Sequence, residues 1–116
     1  MLIFEEDLEA YVCELEDVYV CWDEEPEGDY EEVAISVRNA YNKNIKHIAE
    51  TIYEEAKSIF SIKSADEVIS KIGKPHIFPN NGQVEYFESK LDSDHLISFE
   101  YLDDTFDNIQ YVSVDG

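Results

Sequence analysis

The stretch that decides the fold runs from residue 45 to residue 60 and reads IKHIAETIYEEAKSIF. Its apolar residues recur three and four positions apart, which is the spacing of one face of an α-helix. The members of this stripe are Ile45, Ile48, Ala49, Ile52, Tyr53, Ala56, Ile59 and Phe60. The pattern predicts an amphipathic helix of about five turns, for which Asn42 or Asn44 is the candidate N-cap.

A second, shorter helix is predicted directly after the first. Ser64 and Glu67 have the spacing of a capping box, in which each side chain accepts a hydrogen bond from the backbone amide of the other. Gly73 ends this helix, and Pro75 prevents its continuation.

The segments on both sides of the two helices alternate apolar and polar residues, which is typical of strands. The candidate strands are residues 10–15, 18–22, 33–37, 76–78, 84–87, 95–101 and 108–114. Residues 79–82 read PNNG, a strong turn signal between two of them. The order predicts the α+β class, with an antiparallel sheet built from N-terminal strands and a C-terminal meander. One long and one short helix are expected to pack on one face of that sheet.

Length and composition predict one domain over residues 1–116. The chain is 44% hydrophobic and 13% aromatic, which is too apolar for a disordered acidic tail. No stretch approaches the roughly 20 apolar residues that span a bilayer, and the first residues lack the pattern of a signal peptide. We therefore expect a cytoplasmic protein without a membrane partner, in which Cys13 and Cys21 are reduced thiols.

The net charge of −20, from 28 acids and 8 bases, is the dominant chemical feature. Residues 1–37 hold fourteen acids and no Lys or Arg, and residues 91–116 hold seven acids and no Lys or Arg. The remaining seven acids and all eight bases lie in residues 38–90. Since self-repulsion of this size destabilises a compact state, the concentration of acids at the two ends points to a function.

No signature of catalysis, of a metal site or of a cofactor occurs, so we expect a protein that is not an enzyme and binds no cofactor. The three histidines are scattered, and a surface or packing role is expected for each. Asp92-Ser93-Asp94 and the run from Asp103 to Asp107 resemble fragments of calcium loops but lack the Gly and the terminal Glu of an EF-hand loop. Direct nucleic-acid binding is opposed by the charge, because it depends on Lys and Arg.

The two cysteines leave an alternative open. If residues 11–14 and 19–22 pair across a tight turn at Glu16-Asp17, Cys13 and Cys21 face each other, and a redox or metal role becomes possible. The other interpretation is two half-buried thiols that only pack.

The candidate binding surface is the acidic segment with aromatic residues interleaved, where carboxylates complement Lys and Arg of a partner and rings supply contact area. The first patch consists of Trp22, Asp23, Glu24, Glu25, Glu27, Asp29, Tyr30, Glu31 and Glu32. The second patch consists of Asp103, Asp104, Phe106 and Asp107. Trp22, Tyr30 and Phe106 are the proposed anchors. The alternative is that the rings belong to the core and the acids form a solvated face.

The ending of the chain, from Asp94-His95-Leu96-Ile97-Ser98-Phe99-Glu100-Tyr101 through Gln110 to Gly116, looks like the final hairpin of several small bacterial domains. In size, charge and element order the whole chain resembles the small immunity proteins of contact-dependent inhibition and related polymorphic toxin systems. The resemblance implies a short acidic inhibitor that covers the active site of a basic toxin, often a nuclease.

Three hypotheses follow. The first is a stoichiometric inhibitor of a basic toxin, with a nuclease as the expected partner. The second is a nucleic-acid mimic or acidic adaptor that occupies a host nucleic-acid-binding protein. The third is an enzyme or metal-binding domain whose site has no recognisable motif.

Overall fold

The computed structural model describes residues 2–58, 61–87, 89–91, 96–102, 106 and 108–115, of which residues 114 and 115 are described by their backbone alone. These residues form β1 Leu2–Glu5, β2 Ala10–Glu14, β3 Tyr19–Trp22, α1 Tyr30–Lys43, α2 Ile45–Ala56, α3 Ala65–Lys71, β4 His76–Phe78, β5 Gln83–Tyr86, β6 Leu96–Tyr101 and β7 Ile109–Asp115. The α+β class is confirmed, with seven strands in one mostly antiparallel sheet and three helices.

The spatial order of the strands equals their order in the chain, from β1 at one edge to β7 at the other. Five of the six pairings are antiparallel. The exception is β3 with β4, which run parallel and place Tyr19 opposite His76 and Val20 opposite Ile77. Because all three helices lie between these two strands, the chain crosses over and re-enters the sheet in the same direction. The prediction of a purely antiparallel sheet is therefore wrong at this one pairing.

The predicted strand over residues 33–37 is wrong, because these residues lie inside α1. Asp29 caps this helix by accepting a hydrogen bond from the backbone amide of Glu32 at 3.3 Å. Ala34 and Tyr41 are buried one above the other on its inner face, with the half-buried Val37 between them. Val33 is 47% exposed. The five-residue alternation was thus part of a longer helical pattern, which becomes visible only when the window reaches Tyr41.

The long apolar stripe is confirmed as a helix over residues 45–56, where α2 buries Ile48, Ala49, Ile52 and Ala56. Its last two predicted members, Ile59 and Phe60, lie outside the described residues. Asn44 occupies the N-cap position, but its side chain donates instead to the carbonyl oxygen of Ala40 at 2.9 Å. The observed fold therefore has two longer helices and a short one, rather than one long and one short helix.

The short helix α3 has half of the predicted capping box. The hydroxyl of Ser64 accepts from the backbone amide of Glu67 at 3.3 Å, as predicted. The carboxylate of Glu67, however, accepts from the backbone amide of Lys63 at 2.8 Å. The strand β1 was not predicted, because its sequence is short and ends in a run of acids.

The main core lies between the three helices and one face of the sheet. Alternation along β3 places Val20 and Trp22 on this inner face, together with Val18 just before the strand, as predicted. The outer face of the sheet carries a smaller apolar cluster made of Ala10, Val12, Cys21 and Phe78, with Leu8 and Tyr19 packed against it. One face of the sheet is therefore covered by the helices, whereas the outer face has its own smaller apolar cluster.

A buried hydroxyl pair joins α1 to the sheet and gives a first prediction. The Tyr41 and Tyr86 oxygens are 2.6 Å apart, and burial raises the pKa of both phenols. We expect Tyr86→Phe to lower the free energy of unfolding by about 1–3 kcal/mol, because it removes this hydrogen bond and leaves the Tyr41 hydroxyl buried.

The double variant Tyr41→Phe/Tyr86→Phe should recover part of that loss, since neither hydroxyl then remains. Tyr111→Phe is the matched control, because this ring is 70% exposed and its hydroxyl has no comparable burial. Urea unfolding of the four proteins measures the loss and its partial recovery. If Tyr86→Phe is as stable as the wild type, the prediction is contradicted.

Candidate functional site

The first predicted acidic patch forms one continuous exposed segment, which we call the acidic segment and define as residues 23–32. It comprises the connection between β3 and α1 and the first turn of α1. Its seven carboxylate side chains are all exposed: Asp23, Glu24, Glu25, Glu27, Asp29, Glu31 and Glu32. The three ion pairs found among the described residues all lie elsewhere, at Glu54, Glu67 and Glu14. Within the described part of the chain, no ion pair therefore neutralises the acidic segment.

Some of these carboxylates have a structural role. Asp29 is the N-cap of α1, and Glu31 and Glu32 lie in its first turn, where the partial positive charge of the helix terminus favours acids. The carboxylate of Asp23 accepts a hydrogen bond at 2.9 Å from the Asn81 side chain in the β4–β5 turn. Local structure thus explains four of the seven acids.

The other three acids, Glu24, Glu25 and Glu27, make no hydrogen bond or ion pair to the described part of the chain. They are held between two fixed ends, since Asp23 is tied to Asn81 and Asp29 caps the helix. Gly28 adopts a φ of +77°, which a residue without a Cβ reaches without strain. This arrangement presents three carboxylates to solvent on an anchored loop.

Two of the three predicted aromatic anchors belong to the core instead. Trp22 is 5% exposed and its ring meets the half-buried Tyr30 edge-on at a centroid distance of 6.4 Å. Phe106 is 1% exposed and packs against Tyr101 at 4.3 Å and Tyr41 at 5.7 Å. The prediction that Trp22 and Phe106 serve as exposed anchors is wrong for this conformation, because both rings point to the helix side of the sheet.

The second predicted patch is described only at Phe106, which is buried. Its three acids, Asp103, Asp104 and Asp107, lie outside the described residues, so this part of the candidate site stays a prediction. The neighbouring Leu102 is 64% exposed.

A groove with a mixed polar and apolar lining connects to the two ends of the acidic segment, and sequence reasoning missed it. Its volume is about 350 Å³. One wall is the α1 face formed by Val33, Ser36, Val37 and Ala40. The opposite wall is formed by Pro79, Asn80, Tyr101 and Phe106. The signal that could have revealed it is the helical spacing of Val33, Val37 and Ala40, which was hidden by the interpretation of residues 33–37 as a strand.

Two connections link the groove to the two ends of the acidic segment. Glu32 directly precedes the groove residue Val33 on α1, and the Asn81 that holds Asp23 directly follows the groove residue Asn80. The groove is lined by apolar side chains together with Ser36 and Asn80. Since acids adjoin it in the chain, it is suited to a partner segment that combines an apolar side chain with Lys or Arg.

The two cysteines do not face each other. Cys13 lies opposite Val20, whereas Cys21 lies opposite Val12, so the two thiols are on opposite faces of the sheet. Burial raises the pKa of Cys21 to about 12, with smaller contributions from Glu85, Asp23 and Glu5. A shared metal or disulfide role is excluded by this register, and the packing interpretation agrees with it. Among the described residues, no group of three His, Cys, Asp or Glu side chains could hold a metal ion.

The histidines fall into three different settings. His47 is exposed on α2, and His95 lies outside the described residues. His76 is buried on the outer face of the sheet, where its ring stacks on Tyr19 at a centroid distance of 4.3 Å. A packing role is therefore observed for His76.

No protein-family model, no curated protein and no solved structure matches this chain. Across the described residues, the helices are too short and too polar to cross a membrane.

Proposed function

We propose that this protein is a non-enzymatic inhibitor that binds a basic protein through the acidic segment and the adjoining groove. The observation that carries the proposal is the set of three exposed carboxylates, Glu24, Glu25 and Glu27, on an anchored segment whose two ends adjoin groove residues. Local structure accounts for the other four acids of the segment, but it gives these three no role.

The partner chemistry follows from charge and shape. A surface with net charge −20 attracts Lys- and Arg-rich partners and speeds their association. The groove adds apolar contact surface, where a partner side chain can be partly desolvated. Val33, which is exposed at the wall of the groove, is the proposed apolar anchor in place of the buried Trp22 and Phe106.

A basic bacterial toxin, with a nuclease as the expected activity, is the proposed partner. The resemblance to small acidic immunity proteins supports this choice, as does a charge that opposes direct binding to nucleic acid. Capture of partners from the native cell with the tagged protein, followed by mass spectrometry, tests it. Recovery of a host nucleic-acid-binding protein as the stoichiometric partner would favour the mimic hypothesis instead.

The effect of the three carboxylates on affinity is the second prediction. In Glu24→Gln/Glu25→Gln/Glu27→Gln, binding to the captured partner should weaken by about fivefold or more at about 50 mM salt, since each rim charge contributes a few tenths of a kcal/mol or more. The loss should appear mainly in the association rate, and it should shrink at about 500 mM salt because screening removes the attraction. Biolayer interferometry at the two salt concentrations measures both.

The matched control is Glu16→Gln/Glu50→Gln/Glu55→Gln, which removes the same charge at three exposed positions elsewhere. It should lose less than about twofold, because the charges lie outside the contact. Equal losses in both triple variants would show that only net charge matters, and they would refute the assignment of the binding surface to the acidic segment.

A further inference from the structure

The outer face of the sheet carries a second depression, remote from the groove because α1 packs on the other face. Its volume is about 310 Å³. Leu8 and Val12 form its apolar floor, and the rings of Tyr19, His76 and Phe87 form its walls. Two exposed carboxylates, Glu5 and Asp7, stand at its rim on the β1–β2 hairpin. We call this depression the outer pocket.

The aromatic walls are fixed by contacts with one another. The rings of Tyr19 and His76 stack at 4.3 Å with an angle of 19° between their planes. The ring of Phe87 meets that of His76 edge-on at 4.8 Å, and Phe87 remains 44% exposed. A half-exposed phenylalanine held in a row of rings presents aromatic surface to a ligand.

A contact within the chain already places a cation against one ring of this row. The ammonium nitrogen of Lys74 lies 4.1 Å from the centroid of the Tyr19 ring and 2.9 Å from a carboxylate oxygen of Glu14. A ring together with a carboxylate thus already holds one cation at the edge of the row. The outer pocket repeats the combination with Phe87, Glu5 and Asp7.

At the second ring-and-carboxylate position, no Lys or Arg of the described residues is present. All eight Lys and Arg residues belong to the described part of the chain, and none of them lines the outer pocket. The pKa of Cys21, beneath this face, is raised mainly by burial, and the charges of Glu85, Asp23 and Glu5 raise it further. The position is therefore complementary in charge to a cationic group from another molecule.

We propose that the outer pocket binds the ammonium or guanidinium group of a Lys or Arg side chain presented by a partner protein. The aliphatic stem would lie on Leu8 and Val12, the charged group would face Phe87 and His76, and Glu5 and Asp7 would neutralise it. This site is separate from the acidic segment, so it can exist whether or not the acidic segment binds the proposed inhibitor target.

The test uses the whole protein and single blocked amino acids. Nα-acetyl-arginine methylamide and Nα-acetyl-lysine methylamide are titrated while the ring resonances of Phe87 and His76 are followed by NMR at fixed pH. We expect saturable shifts with dissociation constants in the millimolar range, about −4 kcal/mol. Nα-acetyl-norleucine methylamide, which keeps the stem without the charge, should bind at least about fivefold more weakly.

Three variants locate the binding. Glu5→Gln/Asp7→Asn should weaken it by about fivefold, and Phe87→Leu should weaken it by about threefold because the ring is lost. Glu50→Gln/Glu55→Gln removes the same charge on α2 and should change it by less than about twofold. Circular dichroism confirms that each variant is folded, which is expected because all the altered side chains are at least partly exposed.

Several results would overturn the proposal. They are the absence of saturable shifts at Phe87 and His76, an equal loss in the α2 control, or norleucine methylamide binding as well as the cations. Putrescine serves as the free-amine probe. If it binds about tenfold more tightly than either blocked amino acid, the outer pocket is a site for small free amines and the assignment to a protein side chain fails.

Discussion

Replacement of Phe106 by alanine is expected to lower the free energy of unfolding by about 3–5 kcal/mol, the range for deleting a buried aromatic ring. The ring is 1% exposed and joins α1 to the end of β6 through Tyr41 and Tyr101. Phe87→Ala makes the same chemical deletion at a side chain that is 44% exposed, so it should cost about 1 kcal/mol. Guanidinium unfolding of the three proteins provides the comparison.

The backbone at Phe106 adds a sharper test. Its φ is +59°, in the left-handed region that costs a residue with a Cβ about 1 kcal/mol or more. Glycine relieves that cost, so Phe106→Gly should be at least as stable as Phe106→Ala, the reverse of the usual order. If Phe106→Ala keeps wild-type stability but loses partner affinity, Phe106 is an exposed anchor after all, and its burial in the core is wrong.

Ile52→Ala is the second large effect, with an expected loss of about 2–5 kcal/mol. Ile52 is 1% exposed on the buried face of α2, between Ile48 and Ala56, and alanine leaves a cavity that a close-packed core fills only in part. The change in helix propensity is small and favours alanine, so the measured loss reports packing.

Ile35→Ala on α1 is the control for Ile52→Ala. It deletes the same atoms from a helix position that is 43% exposed, and it should cost less than about 1 kcal/mol. Thermal and urea unfolding of both variants settle the comparison. A loss below about half a kcal/mol for Ile52→Ala would remove this side chain, and the helix face that carries it, from the core.

The sequence predicted the elements whose patterns are long or punctuated by special residues. The stripe that begins at Ile45 extends over several turns, and the turn at residues 79–82 has Gly82 with a φ of +63°. The pattern at residues 33–37 failed because five residues fit either period, and tertiary packing chose the helix. The parallel pairing of β3 with β4 could not be predicted, since it depends on how the helices return the chain.

The candidate site was predicted in its charge but not in its apolar part. Acids in a segment without Lys or Arg remain exposed wherever the chain folds, and Asp23 to Glu32 do so. Trp22 and Phe106 could not be assigned from composition, because a ring in an acidic segment has equal reason to be core or contact. The groove could not be predicted from the sequence, because it forms only where the turn after β4 lies next to α1.

The single parallel pairing has a consequence for how the protein comes together. The pairs β1–β2–β3 and β4 through β7 each join strands that are neighbours in the chain, so their closure entropy is small. Pairing Tyr19 with His76 closes a loop that contains the three described helices. This pairing therefore has the largest loss of loop-closure entropy in the sheet. The acidic segment is the first part of that loop. Its Asp23 accepts a hydrogen bond from the side chain of Asn81, which follows β4. A partner that binds both the acidic segment and the turn at Asn81 would hold strands β1–β3 and β4–β7 together. Binding of that partner would therefore also raise the free energy of unfolding.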